Sequence, residues 1–179
     1  MPKYYLLFSL LFLFGCQKSK ESIEVSEPQL FSLLSPEKTQ VNFQNNIQEG
    51  LNTNVLMYEY FYNGGGVATG DLNGDGKEDM YFSSNMEANH LYINEGNLKF
   101  KEVAQQAGVT GRPGPWKTGV SFVDINGDHK LDIYLCYSGN LPPDKKRNQL
   151  FINQGNDAAG IPLFTDEAAR YGLDSPSNS

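Results

Sequence analysis

The sequence predicts an all-β fold built from two repeats of four short strands each. The chain repeats itself, because two acidic loops, beginning at Asp71 and Asp124, lie 53 positions apart and each runs into an apolar, strand-like segment. Glycine and asparagine turns separate the short apolar segments of each unit, and helical periodicity is almost absent. The repeat length is close to that of β-propeller blades, which contain four strands each.

The two repeats match segment by segment. Repeat one covers about residues 64–110 and repeat two about residues 117–174, within a folded part that spans 41–179. The matched strand candidates are 66–71, 80–82, 89–93 and 100–104 in the first repeat, and 119–124, 133–135, 148–152 and 164–168 in the second. Within the third strand of each repeat, 91–93 and 150–152, we expect buried and solvent-facing side chains to alternate. A further aromatic strand is predicted over 55–62, ahead of the repeats.

The amino terminus has the pattern of a targeting signal. An apolar run of 11 residues, Tyr4 to Phe14, follows Lys3 and is too short to span a bilayer, which takes about 20 residues. The following Gly15-Cys16 resembles the lipobox of bacterial lipoproteins. That resemblance implies a signal peptide over 1–15, lipid attached to Cys16, and a protein anchored in the bacterial cell envelope, at the outer membrane. An ordinary secretory signal with an incidental cysteine is the alternative.

Residues 16–40 are polar and irregular, and they predict a flexible tether between the lipid and the folded part. The chain has two cysteines, so lipid on Cys16 leaves Cys136 without a disulfide partner. We expect Cys136 to be buried as a small apolar side chain. The net charge of −7 and the lack of a basic stripe argue against a nucleic-acid partner.

Each acidic loop places oxygen-bearing side chains at its first, third, fifth and ninth positions. An extended strand would spread the first five positions over about 13 Å, so the loop must curl before its oxygens can share one ion. Gly74, Gly76 and Gly127 supply the backbone freedom for that curl. The predicted ligands are Asp71, Asn73, Asp75, Asp79 and the Lys77 carbonyl in one loop, and Asp124, Asn126, Asp128, Asp132 and the Lys130 carbonyl in the other. Hard oxygen donors of this kind predict two Ca²⁺ sites.

Three other interpretations of the loops compete with a calcium site. An EF-hand requires an acidic ligand at position 12, where these loops have Phe82 and Leu135. A metal-free hairpin turn explains the Asn-Gly pairs, but it does not require acids on both sides of the turn in two loops. Magnesium fits less well, because it demands tight octahedral geometry and retains its waters.

The repeats resemble the FG-GAP/VCBS family, whose members form calcium-binding blades of integrin-α-like propellers. The residues that carry the resemblance are Gly70 to Gly76, Leu91 to Asn94, Phe100 and the turn from Ala104 to Gly108. The repeats also resemble those of bacterial lipoproteins related to cartilage acidic protein, whose blades often precede an ASPIC-type domain. The resemblance implies blades around a central axis, with a calcium loop joining the first two strands of each blade.

Two features depart from that family pattern. His129 stands at the sixth loop position, where the family favours glycine, although histidine tolerates a left-handed backbone better than most residues. A propeller also needs about 4 to 8 blades to close, so two repeats predict an incomplete propeller. We therefore expect this chain to be the amino-terminal part of a longer protein.

A catalytic constellation is not evident in the sequence. His90 and His129 are the only histidines, and they fall in different segments without a serine or cysteine partner nearby. Trp116, the only tryptophan, predicts either blade packing, which we favour, or a sugar-recognition patch. We therefore expect a non-enzymatic binding or adhesion module with a glycan or protein ligand. The alternative is the propeller part of a larger envelope enzyme, such as a polysaccharide-active one, with catalytic residues beyond this chain.

Overall fold

A computed structural model describes residues 30–176. The chain divides into two units, Met1–Leu33 and Leu34–Ser179, and every helix and strand reported below lies in the second. The predicted signal peptide and Cys16 lie outside the described residues, as does most of the predicted tether. The described part of that tether, residues 30–40, contains one short helix, α1 (Pro36–Thr39). Within residues 30–176, no helix is long and apolar enough to cross a membrane.

Within residues 30–176, eight strands form two antiparallel sheets of four strands each, which confirms the predicted all-β fold of two blade-like repeats. Within each sheet, strands that follow one another in the chain are neighbours, in the orders β1-β2-β3-β4 and β5-β6-β7-β8. The first sheet contains β1 (Val67–Gly70), β2 (Asp79–Phe82), β3 (His90–Gly96) and β4 (Lys99–Glu102). The second contains β5 (Lys117–Val123), β6 (Asp132–Tyr137), β7 (Gln149–Asn156) and β8 (Pro162–Asp166). Helix α2 (Ala104–Ala107) precedes β5, and a 3-10 helix (Pro143–Lys145) precedes β7.

The two sheets share one apolar core, and β1 lies beside β5. Gly66, just before β1, donates its N–H to the Thr118 carbonyl of β5 over 2.8 Å. A Cβ atom on Gly66 would lie 2.8 Å from the Val120 nitrogen, so only glycine permits this approach. The core draws on both sheets and on α2, and it includes Tyr81, Leu91, Ile93, Ala104, Ala107, Val109, Ile133, Leu135, Tyr137 and Phe151.

The predicted alternation in the third strands is wrong. Leu91, Tyr92 and Ile93 are 0%, 2% and 7% exposed, and their counterparts Leu150, Phe151 and Ile152 are buried as well. Both faces of each third strand are covered. In the first sheet Leu91 and Ile93 face the shared core, while Tyr92 lies on the opposite face against Phe82. Burial on both faces removes the polar alternation that a half-exposed strand shows.

The strand predicted over 55–62 is also wrong, because this segment forms consecutive turns. The Asn54 side chain accepts the N–H groups of Leu56 and Met57 over 3.0 and 3.2 Å, and its backbone carbonyl accepts the N–H of Tyr58 over 3.0 Å. Asparagine stabilises such turns by bonding the backbone that follows it. The aromatic content that suggested a strand instead serves packing, because Phe61 is 1% exposed.

Two single residues were predicted to be buried. Trp116 is 3% exposed and packs on Phe61 with ring centroids 5.1 Å apart, so it is a packing residue, although its partner lies in the segment before the repeats and not in a blade. Cys136 is only half-buried, contrary to expectation. It alternates along β6 with Leu135 and Tyr137, which face the shared core, so its side chain lies on the opposite, less covered face of the sheet.

Candidate metal-binding loops

The two acidic loops occupy the same place in each sheet. The first joins β1 to β2, between the paired residues Gly70 and Asp79, and the second joins β5 to β6, between Val123 and Asp132. Because both strand pairs are antiparallel hairpins, each loop reverses the chain at one end of its sheet.

The first loop is curled around the carboxylate of its first residue. Asp71 Oδ1 accepts the N–H groups of Gly74 and Asp75 over 2.7 and 3.1 Å, and Oδ2 accepts that of Gly76 over 2.8 Å. Asn73 Oδ1 also accepts the Asp75 N–H over 3.1 Å. These bonds draw the first, third and fifth positions towards one another, as the spacing predicted.

The second loop repeats this arrangement bond for bond. Asp124 accepts the N–H groups of Gly127, Asp128 and His129 over 2.8, 3.1 and 2.9 Å. Asn126 Oδ1 accepts the Asp128 N–H over 2.9 Å. The same geometry in two loops of different sequence indicates that the spacing of polar residues determines the curl.

Left-handed backbone appears at the same two positions of each loop. Gly74 and Gly76 have φ angles of 76° and 80°, and their counterparts Gly127 and His129 have 75° and 67°. His129 thus adopts the conformation that glycine provides in the first loop, as expected from its position. For a residue with a side chain that conformation carries a steric cost.

The acid at the ninth position is fully buried in both repeats. Asp79 is 0% exposed, and it accepts the backbone N–H of Leu72 over 2.9 Å through Oδ2 and that of Asn94 over 2.9 Å through Oδ1. Asp132 is 0% exposed and accepts the N–H groups of Ile125 and Asn153 over 3.1 and 2.8 Å. These carboxylates therefore tie the start of each loop to the third strand.

Negative charge accumulates at the buried end of the first loop. Burial raises the pKa of Asp79 from 3.8 to about 6, against the two backbone N–H groups that lower it, and the Asp75 and Asp71 carboxylates raise it further. The pKa of Asp132 is raised for the same reasons, with burial first and Asp128 and Asp124 contributing. In each loop, the carboxylates at the first and fifth positions thus oppose the ionisation of the buried acid at the ninth.

The lysine at the seventh position makes a contact that the sequence did not suggest. Lys77 Nζ lies 2.7 Å from Asp75 Oδ2, and Lys130 Nζ lies 2.8 Å from Asp128 Oδ2. The hydrogen bond from each lysine side chain lowers the pKa of the acid it contacts. The ammonium groups therefore offset part of the negative charge of each loop from its solvent side.

The acids of the two loops lie within the described residues, but they are not gathered there into a metal-holding cluster. Within residues 30–176, no group of three or more His, Cys, Asp or Glu side chains is placed to hold a metal ion. The donor set predicted for each loop is mixed, because it adds an amide at position 3 and the backbone carbonyl at position 7 to the carboxylates at positions 1, 5 and 9. All of these atoms are hard oxygen donors, which suits Ca²⁺ rather than a softer transition metal.

Sequence reasoning missed the residues that support the loops from the third strands. Asn94 donates its N–H to Asp79 and its side-chain Nδ2 to the Glu78 carbonyl over 3.0 Å. Asn153 does the same for Asp132 and, over 3.2 Å, for the Leu131 carbonyl. The sequence signal for these two residues is the recurrence of Asn-Glu-Gly and Asn-Gln-Gly at matched positions of the repeats. From the sequence, these triplets predict only turns.

Comparison with known families agrees with this repeated architecture. Residues 71–135 match the family described as the FG-GAP-like repeat, a stretch that runs from the first loop position into β6. No curated protein matches the chain. Residues 71–135 are therefore similar to FG-GAP-like repeats, and the two equivalent sheets show that the same order of four strands occurs twice.

Proposed function

We propose that each loop binds one Ca²⁺ ion and that the chain is a calcium-stabilised binding or adhesion module of the bacterial cell envelope. The residues that would hold the ions are Asp71, Asn73, Asp75, Asp79 and the Lys77 carbonyl, and Asp124, Asn126, Asp128, Asp132 and the Lys130 carbonyl. The FG-GAP-like match over residues 71–135 supports a propeller-type binding module.

The observation that carries the calcium proposal is the repeated curl, in which the side-chain oxygens at the first and third positions of each loop bond the backbone of the fifth. Burial raises the pKa of Asp79, and the nearby Asp75 and Asp71 carboxylates raise it further, so Asp79 carries its charge in an unfavourable place. Asp79 is fixed by two backbone N–H groups and cannot turn away from its neighbours. A bound divalent cation would neutralise this charge and join the loop oxygens through one centre.

The expected role of the ion is structural. Extracellular calcium modules bind with Kd of about 10⁻⁴ to 10⁻³ M. At millimolar calcium that affinity adds on the order of 1 kcal/mol of stability per site. The loops already curl through their own hydrogen bonds, so binding would stiffen a formed loop rather than fold a disordered one.

Thermal unfolding of the full chain in calcium and in chelator tests this proposal. We expect millimolar calcium to raise the Tm and equimolar magnesium to raise it less. Asp71→Ala and Asp124→Ala should each reduce the calcium-induced shift, and the double variant should abolish it. Asp144→Ala, which removes an exposed acid from the 3-10 helix, is the matched control and should leave the shift unchanged. An identical Tm with and without calcium would refute the site.

We also propose that lipid on Cys16 anchors the protein at the outer membrane. Two or more acyl chains on one residue give stable anchoring, whereas one chain binds only marginally. Radiolabelled fatty acid should be incorporated into the wild-type protein in cells and not into a Cys16→Ser variant. Unlabelled wild-type protein released into the medium would instead indicate an ordinary secretory signal.

We propose that the module acts by binding rather than by catalysis. Its two histidines belong to different repeats. His90 lies on β3, with Nδ1 3.5 Å from Glu102 Oε1, and His129 lies in the second loop. The expected ligand is a glycan or a protein. Retention of intact polysaccharide by the purified chain would support this role. Release of shortened products would favour the alternative, in which the chain is part of a polysaccharide-active enzyme.

A further inference from the structure

The second repeat reaches across the sheet interface to the first loop. Asn153 Nδ2 donates to the Leu72 carbonyl over 2.9 Å, and Asn156 Nδ2 donates to the Asn73 carbonyl over 2.7 Å. Leu72 and Asn73 are the second and third positions of that loop, and Asn73 is also one of its proposed ligands. The first loop is therefore held by donors more than 80 positions away in the chain.

Asn153 contacts both loops at once. Its Nδ2 also donates to the Leu131 carbonyl of the second loop over 3.2 Å, and its Oδ1 accepts the Gly155 N–H over 2.9 Å. The residue is 2% exposed, and its own N–H is bonded to Asp132. All of its polar groups are therefore engaged, and its carboxamide is fixed between the two loops.

The support described for the second loop comes from its own repeat. In the first repeat, Asn94 occupies the position of Asn153, but its Nδ2 donates only to its own loop, at the Glu78 carbonyl. The matching support of the second loop, from Asn153 to the Leu131 carbonyl, also comes from its own repeat. The two loops share one internal geometry and differ in what holds them from outside.

We propose that Asn153 and Asn156 position the first loop for its cation, so that metal binding at this loop is coupled to the packing of the two repeats. The inference rests on the proposed calcium function. Coupling is reciprocal: if the packed second repeat increases the affinity of the first loop, an ion in that loop strengthens the packing by the same factor. Within this chain the second loop is the internal comparison, because its described support comes from its own repeat.

The test measures each loop separately in the full-length chain. Asp128→Ala weakens calcium binding at the second loop, so calorimetric titration of that variant reports the affinity of the first loop. Asp75→Ala weakens binding at the first loop, so titration of that variant reports the second. In the first background we expect Asn156→Ala to raise the Kd by about 3-fold to 10-fold, the effect of one lost hydrogen bond. In the second background the same substitution should leave the Kd unchanged.

Gln154→Ala is the matched control, because it removes a carboxamide from the same hairpin. The Gln154 Nε2 donates within its own strand, to the Ile152 carbonyl. It should leave both Kd values unchanged. A loss of affinity at both loops after Asn156→Ala would indicate general destabilisation and would overturn the proposal, as would no change at the first loop.

A metal-free readout separates this inference from the calcium proposal. Hydrogen exchange in chelator follows the amides of Gly74, Asp75 and Gly76, which bond to Asp71. We expect Asn156→Ala to accelerate exchange of these amides and to leave those of Gly127 and Asp128 unchanged. If neither loop binds calcium and this exchange difference is present, the calcium function fails while the contact stands. If Asn156→Ala leaves exchange at the first loop unchanged, or accelerates exchange equally in both loops, the positioning role is overturned.

Discussion

Asn89 donates its Nδ2 to the hydroxyl of Tyr81 over 2.8 Å, and that hydroxyl donates onward to the Val109 carbonyl over 2.7 Å. The second repeat contains the same chain of bonds. Asn148 Nδ2 donates to the Tyr134 hydroxyl over 2.8 Å, and Tyr134 donates to the Leu173 carbonyl over 3.3 Å. The difference lies in burial, because Tyr81 is 0% exposed beneath the second sheet whereas Tyr134 is partly exposed.

Removing the two hydroxyls should therefore have unequal costs. Tyr81→Phe leaves the Asn89 amide and the Val109 carbonyl unsatisfied in the shared core, which should lower the free energy of unfolding by about 1–3 kcal/mol. Tyr134→Phe should cost less than about 1 kcal/mol, since water can replace the lost partner. Urea unfolding of both variants in chelator measures the difference. Equal costs would show that the second sheet does not shield Tyr81 as described.

The repeated fold was predictable from the sequence because turn chemistry and loop spacing are local. Glycine at Gly74 and Gly127, each in left-handed backbone, marks the same position in both loops, and the apolar segments after the loops became β2 and β6. The curl of each loop followed from oxygen spacing alone, as the bonds to Asp71 and Asp124 confirm.

What the sequence could not predict depends on contacts between distant segments. Tyr92 was expected to alternate with its neighbours, but Phe82 and the second sheet cover the two faces of β3. The aromatic run before the repeats was expected to be a strand, but the turn at Asn54 directs Phe61 onto Trp116. The bond from Asn156 to the first loop has no local signal, because its partner lies 83 positions away.

In chelator, removing the acid at the ninth loop position should lower the free energy of unfolding more than removing the acid at the fifth. Asp79→Ala leaves the buried N–H groups of Leu72 and Asn94 without an acceptor, so we expect a loss of about 2 kcal/mol or more in the free energy of unfolding. Asp75→Ala removes an exposed pair with Lys77 and should change it by less than about 1 kcal/mol. Chemical denaturation without metal measures both.

The same unfolding experiment repeated in calcium tests whether Asp79 and Asp75 also hold the ion. Both substitutions should reduce the stabilisation that calcium gives the first loop, because both remove a proposed ligand. An Asp79→Ala variant as stable as wild type in chelator would contradict the structural role assigned to its two backbone bonds.

The left-handed residue at the sixth loop position predicts a stabilising substitution. His129 has φ of 67°, where a side chain is strained, so His129→Gly should raise the free energy of unfolding by about 0.5–1 kcal/mol after the entropic cost of glycine is subtracted. Gly76→His at the matched position, where φ is 80°, should lower it by a similar amount. Paired urea melts in chelator test both substitutions. The same sign of change in both variants would rule out backbone strain as the cause.

Lys117 predicts that stability rises at alkaline pH. Its side chain is 1% exposed, and Nζ donates to the carbonyls of Gly114 and Arg112 over 2.9 and 3.3 Å. Burial, with a smaller contribution from the Arg112 charge, lowers the pKa of Lys117 from 10.5 to about 8. Between these two values the unfolded chain holds a proton that the folded chain has released, so the free energy of unfolding increases with pH.

The slope of that increase is at most about 1.4 kcal/mol per pH unit for one proton. Urea unfolding from pH 7.5 to 9.5 covers the lower part of the window and stays below the range where the buried tyrosines, whose pKa values are raised, ionise on unfolding. In Lys117→Met the charge is absent in both states, so the rise should disappear even if the variant is less stable at every pH. A wild-type protein whose stability is flat or falls over this range would show that Lys117 keeps its proton in the folded state.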